Sequence, residues 1–84
     1  MTTMNFDLEV KISLKQGILD PEARAIQHAL ADLGFPTGRL STARVYSLSM
    51  EAGSRAEAEE KARQMCERLL ANPVIHRYEV EVRG

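Results

Sequence analysis

Phe6, Leu8, Val10, Ile12 and Leu14 alternate with Asp7, Glu9, Lys11, Ser13 and Lys15. A period of two places each set on its own side of an extended chain, so this stretch predicts a strand with one buried and one wet face. Asp20-Pro21 then reads as a helix start, with an acceptor side chain at the N-cap and proline at the first helical position. Ile26, Leu30 and Leu33 follow at helical spacing, with Ala23 and Ala29 beside them. Gly34 supplies a left-handed stop and Pro36 prevents continuation, which sets a helix over Pro21 to Leu33. Leu40 to Glu51 is the second extended region: Leu40, Thr42, Arg44, Tyr46, Leu48 and Met50 share one phase, Ala43 and Val45 the other. The pattern fits either one long strand, bent near Ala43-Arg44, or two short strands.

Ser54-Arg55-Ala56-Glu57 has the form of a capping box, in which the serine accepts from a backbone amide and the glutamate reaches back. Ala58, Ala62, Met65 and Leu69 make one helical stripe, widened by Cys66 and Leu70. Glu57/Lys61 and Glu59/Arg63 sit four apart in the favourable orientation. Asn72 before Pro73 disfavours further helix, so the second helix spans Arg55 to Ala71. Tyr78, Val80 and Val82 alternate with Arg77, Glu79, Glu81 and Arg83 and predict a last strand from Val74 to Val82.

The expected fold is a single α+β domain over residues 1–84. It is a two-layer sandwich with two helices on one face of a small, mainly antiparallel sheet. The order is β-α-β-α-β, or β-α-β-β-α-β if the middle region folds back. The other face carries Asp7, Glu9, Lys11, Glu79 and Glu81, so it is wet or meets a polar partner. So small a sheet has two unpaired edges, and edges invite pairing with another chain. A homo-oligomer, dimer or tetramer, follows as an expectation.

Composition narrows the function classes. With 11 Lys and Arg against 12 Asp and Glu, the chain lacks the basic excess of a nucleic-acid or anionic-membrane surface. No apolar run reaches the ~18 residues of a membrane span. The stretch Met1-Thr2-Thr3-Met4-Asn5-Phe6-Asp7 has neither the basic region nor the apolar segment of a secretory signal, so a cytoplasmic location is the simplest reading.

Candidate chemistry is sparse. Cys66 is the one cysteine, and its place beside Met65 and Leu69 on the apolar side of a helix predicts a buried structural thiol. The two histidines, His28 and His76, share no metal-ligand spacing with other donors. Glu51, Glu57, Glu59, Glu60 and Glu67 are interleaved with Arg55, Lys61, Arg63 and Arg68, as on a solvated helix face. Gly34-Phe35-Pro36-Thr37-Gly38 runs from helix to strand, whereas phosphate cradles run from strand to helix. No catalytic, cofactor-binding or metal-binding residue is expected. The strand-to-helix loop Lys15-Gln16-Gly17-Ile18-Leu19-Asp20 has a glycine suited to positive φ and suits either a structural staple or a subunit contact.

Two boundary motifs make the sequence specific. Leu14-Lys15-x-Gly17-Ile18-Leu19-Asp20-Pro21, followed by Ala25-Ile26, Ala29-Leu30 and Leu33-Gly34, resembles the PurS family. So does Leu69-Leu70-Ala71-Asn72-Pro73-Val74-Ile75 with Tyr78-Glu79-Val80 after it, and the likeness spans nearly the whole chain. Two departures stand out. Where the family usually has Arg-x-Gly-Lys in its middle strand this chain has Ser41-Thr42-Ala43-Arg44, and His76 follows Asn-Pro-Val-Ile where the family usually has Glu.

The resemblance implies a non-catalytic assembly subunit of the phosphoribosylformylglycinamidine synthase complex of purine biosynthesis. Its partners would be a synthase subunit (PurL) and a glutaminase subunit (PurQ). The complex would use ATP, magnesium and glutamine, none of them bound by this chain. The expected partner interface comprises Lys15, Gly17, Asp20, Pro21, Arg44, Leu70, Asn72, Pro73 and His76. The alternative is a small ligand-sensing domain of ferredoxin-like type. An acylphosphatase-type enzyme would need an arginine in the first strand–helix loop, where this chain has Lys15.

Overall fold

A computed structural model describes residues 3–83; Met1 and Thr2 of the stretch read above as free of a leader, and Gly84 of the expected domain, lie outside the described residues. The elements are β1 (Met4–Leu14), α1 (Pro21–Asp32), β2 (Ala43–Ala52), α2 (Arg55–Met65), a π-helical turn (Cys66–Leu70) and β3 (His76–Arg83). The strands form one antiparallel sheet in the order β2-β1-β3, so the strand with the cleanest alternation is the central one. The α+β class and the order β-α-β-α-β are as expected. The middle region is one unbroken strand: β2 pairs with β1 from Ser13↔Ala43 to Met4↔Ala52.

Register explains the core. Phe6, Leu8, Val10 and Ile12 of β1 are buried and face Met50, Leu48, Tyr46 and Arg44 of β2. On the other flank Leu8, Val10 and Ile12 face Val82, Val80 and Tyr78 of β3. Ala58, Ala62 and Cys66 close this face from above, joined by Ala71. Small residues on α2 let its backbone come near the sheet, where Val10 is 0 % exposed. Leu14, at the end of the alternating series, is only half-buried.

The helix starts are those the sequence dictates. Asp20 Oδ1 accepts from the Ala23 amide at 3.0 Å, with Pro21 in the first turn. Ser54 Oγ accepts from the Glu57 amide at 3.1 Å, while Glu57 Oε2 reaches back to the Gly53 amide at 3.0 Å. α1 ends in paired bonds from Phe35 N to Leu30 O and from Gly34 N to Ala31 O, with Gly34 at φ +92°. That is the Schellman arrangement, which glycine makes without strain. The predicted i,i+4 pairs form, Lys61–Glu57 at 3.0 Å and Arg63–Glu59 at 2.6 Å.

Three expectations are corrected. The second helix is α-helical only to Met65; the next turn is π-helical, with the Ala71 amide donating to Cys66 O at 2.8 Å. The extra residue in that turn rotates the stripe, so Leu69 is 83 % exposed while Leu70 and Ala71 turn inward. β3 starts at His76, because Asn72 takes Val74 and Ile75 into a turn: its side chain accepts from the Val74 amide and its carbonyl from the Ile75 amide.

The third correction concerns α1. The main core cluster draws on β1, β2, α2, the π turn, Ala71 and β3; in α1 only Ala23 is buried, at 3 % exposed, and it lies outside that cluster. The helix runs off the end of the sheet, giving extents of 58 × 26 × 15 Å. The radius of gyration is 16.7 Å, where a compact chain of this length has about 12 Å. Only α2 covers the sheet, and the opposite, polar face is uncovered among the described residues.

Candidate partner interface

The loop after β1 and the turn before β3 are far apart in sequence and adjacent in space. The Lys15 amide donates to Ile75 O at 2.8 Å, extending the β1–β3 ladder by one bond past Leu14↔His76. In the loop, the Ile18 amide donates to Lys15 O, and Gly17 takes φ +87° between them. A side chain at that φ is strained, although the space around Gly17 is open. In the turn, Asn72 and His76 hold each other: the Asn72 amide donates to His76 Nδ1 at 2.9 Å, and the His76 amide donates to Asn72 O at 2.8 Å.

A groove of about 640 Å³ opens at this end of the sheet, lined among others by Ile12, Leu14, Asp20, Thr42, Leu70 and His76. Pro21 and Arg44 also line it. Five of the nine expected interface residues, Asp20, Pro21, Arg44, Leu70 and His76, therefore share one concavity. Lys15, Gly17, Asn72 and Pro73 are exposed in the adjoining loop and turn.

Thr42 is the residue that sequence reasoning missed. Its hydroxyl donates to Asp20 Oδ2 at 2.7 Å and its amide to the same oxygen at 3.3 Å. Asp20 thus caps α1 with one oxygen and holds the approach to β2 with the other. The Ala23 amide first, then the Thr42 hydroxyl, hold its carboxyl below the usual carboxylate range. Arg44 donates to the Tyr46 hydroxyl at 3.4 Å, which favours its charged form. The only sequence signal for the clasp was a threonine in phase with Tyr46, Leu48 and Met50 in the expected extended region Leu40 to Glu51, which the structure starts at Ala43.

The remaining candidates fall elsewhere. Cys66 is 0 % exposed and burial pushes its thiol up, with Glu67 adding to the effect, which is the reverse of an activated nucleophile. His28 is exposed on α1. Among the described residues no three of His, Cys, Asp and Glu group closely enough to hold a metal ion. No helix of the described residues is long and apolar enough to cross a membrane. On the open sheet face Arg83 pairs with Glu9 at 2.5 Å and with Glu81 at 3.3 Å. Tyr78 donates to Glu67 at 3.1 Å, and burial first, then this bond, raises its pKa.

The family model PurS, described as phosphoribosylformylglycinamidine (FGAM) synthase, matches residues 7–84. The chain belongs to the PurS family. It is 48 % identical over 73 residues to the phosphoribosylformylglycinamidine synthase subunit PurS of Archaeoglobus fulgidus, covering 86 % of this chain and 91 % of that one. It is 44 % identical over 79 residues to the subunit of the same name in Methanothermobacter thermautotrophicus, covering 94 % of each. Among solved structures it is similar to PurS of Methanocaldococcus jannaschii, with TM-score 0.83, 39 % identity and coverage of 94 % and 96 %. That protein is described as one of the subunits of formylglycinamide ribonucleotide amidotransferase in the purine biosynthetic pathway. A chain of PurLQS from Thermotoga maritima gives TM-score 0.86 at 28 % identity, covering 95 % of this chain and 99 % of that chain. The fold described here matches those structures over nearly the whole chain.

Proposed function

We propose that this chain is a non-catalytic assembly subunit of a phosphoribosylformylglycinamidine synthase. It brings a synthase subunit of PurL type and a glutaminase subunit of PurQ type together so that ammonia released from glutamine reaches the amidination site. The observation that carries this reading is the match to PurS over residues 7–84, joined to the likeness to a chain of PurLQS. The available surfaces suit it: two free sheet edges, a polar sheet face and a groove where two loops meet.

In this reading Lys15, Gly17, Asp20, Pro21, Arg44, Leu70, Asn72, Pro73 and His76 make the docking surface. ATP, magnesium and glutamine are handled by the partner subunits, and the chain assembles with copies of itself as a dimer or tetramer. The polypeptide works in the cytoplasm, where purine nucleotides are made.

Reconstitution tests the role. Synthase and glutaminase subunits are mixed with and without this chain, and glutamine-dependent formation of formylglycinamidine ribonucleotide is measured. Turnover requires the chain, while turnover with free ammonia does not. Full glutamine-dependent turnover from the other two subunits alone overturns the reading.

A further inference from the structure

His76 opens β3 and closes the preceding turn with its own side chain. Its ring nitrogen Nδ1 lies 2.9 Å from the Asn72 amide, and an amide N–H can only donate. Nδ1 therefore accepts, and the ring is neutral with its proton on Nε2. Three further bonds converge on Asn72. Its carbonyl accepts from the Ile75 and His76 amides at 3.0 and 2.8 Å, and its side-chain oxygen accepts from the Val74 amide at 3.0 Å. The turn is fastened to the loop after β1, where the Lys15 amide donates to Ile75 O. Of these bonds, the one to the imidazole is reversed by a proton. Once charged, Nδ1 is itself an N–H donor, and two donors face each other. Histidine changes charge between about pH 5 and 8.

The ring is half-buried and lines the groove at this end of the sheet. Charged groups surround it on the neighbouring elements. The start of α1 places Asp20 and Glu22 in the groove wall, and β2 places Arg44 there. Asp20 is held by Ala23 and Thr42, and Arg44 by the Tyr46 hydroxyl, whereas Glu22 forms no ion pair among the described residues. The π turn gives the wall Leu70; its Glu67 is bonded to Tyr78, and its Arg68 is exposed. Lys15 is exposed in the adjoining loop, and Arg77, next along β3, donates to Ser13 of β1. The groove thus sets two carboxylates against one guanidinium. An imidazolium released from Asn72 has a second resting place on the carboxylate side of its own groove. The end of the sheet therefore has two arrangements, one with a neutral ring on the Asn72 amide and one with a charged ring turned into the groove.

We propose that His76 is a proton-operated latch on the docking surface. Neutral, it pins the Asn72–His76 turn in the shape a partner subunit meets; protonated, it lets the turn go. The latch is a property of this chain, and only its effect on docking rests on the assembly role proposed above. Nuclear magnetic resonance of isotope-labelled parent chain and His76→Asn tests the latch first. Asparagine sets an acceptor oxygen near the place of Nδ1 and does not titrate. At about pH 8 the His76 ring is expected as the Nε2–H tautomer, with exposed His28 as the reference for a free ring. As pH falls to about 5, the Asn72 amide resonance moves in step with protonation of that ring, and in His76→Asn it stays in place. A ring with its proton on Nδ1 at high pH overturns the proposal. So does an Asn72 resonance that ignores the ring or titrates equally in His76→Asn. Affinity for the synthase and glutaminase subunits is then compared at about pH 8 and pH 6. Relative to His76→Asn, the parent chain loses about fivefold at the lower pH, the worth of one hydrogen bond. Equal pH dependence in the two chains overturns the control of docking. Failure of both chains to bind at either pH, with the resonances as expected, removes the assembly role and leaves the latch in place.

Discussion

α1 and α2 carry the same sequence signal and meet opposite fates. Each has a capped start and an apolar stripe at helical spacing, yet Ala58 and Ala62 of α2 are sealed against the sheet while Ile26 and Leu33 of α1 stand in solvent. Amphipathicity reports that a face is to be covered, and is silent on which chain covers it. The size of the inward residues separates the two cases. α2 turns alanines inward and so lies close to its own sheet. α1 offers large side chains with nothing beneath them, the composition of an anchor rather than of a lid.

The contrast can be broken most sharply at its buried end. Val10→Ala empties the most enclosed site in the sheet and is expected to cost about 2–3 kcal/mol. That is a large share of the roughly 4–13 kcal/mol a chain of this length has. Urea unfolding followed by circular dichroism gives the value, which should not depend on protein concentration. Gly17→Ala places a side chain at φ +87° where nothing else obstructs it, so its expected cost of about 1–2 kcal/mol is backbone strain alone. A neutral result in the same urea assay would mean that the loop relaxes.

The projecting end calls for a different readout. Ile26→Ala is expected to change the stability of dilute chain by no more than about 0.5 kcal/mol. An effect that grows as concentration rises would show that a second copy covers the side chain. Melting curves across a hundredfold range of concentration distinguish this from Val10→Ala. Arg63→Ala removes an exposed pair with Glu59 and should cost about 0.3–0.5 kcal/mol, less in high salt.

The hinge between the two regions is sensitive to acid. The folded state holds the Asp20 carboxyl below its ordinary value, so ionised Asp20 favours folding. That contribution is fully present above the ordinary carboxylate range, near pH 4, and fades as pH falls through the lower folded value. Melts of the parent chain and Asp20→Asn should therefore differ at pH 6 and converge toward pH 2. A gap that stays constant with pH would remove the carboxylate from the argument.

Local signals fixed much of this protein. Alternation in β1, the Asp20 and Ser54 caps, the Gly34 stop and both i,i+4 pairs were legible because each depends on residues within a turn or two of one another. Five of the nine residues expected at a partner interface line one groove, although they come from four separate segments of the chain. Other features depended on partners distant in sequence or on exact helical pitch. The π turn after Met65 moved Leu69 to the outside, and nothing in its composition marks that slip. Thr42 acquired its role only when β2 was placed beside the start of α1. The meeting of the Lys15 loop with the Asn72 turn came from the β1–β3 register. Tertiary structure also decided where α1 goes, because a helix needs a surface to lie on, and which surface is free is settled by how the rest of the chain has already packed.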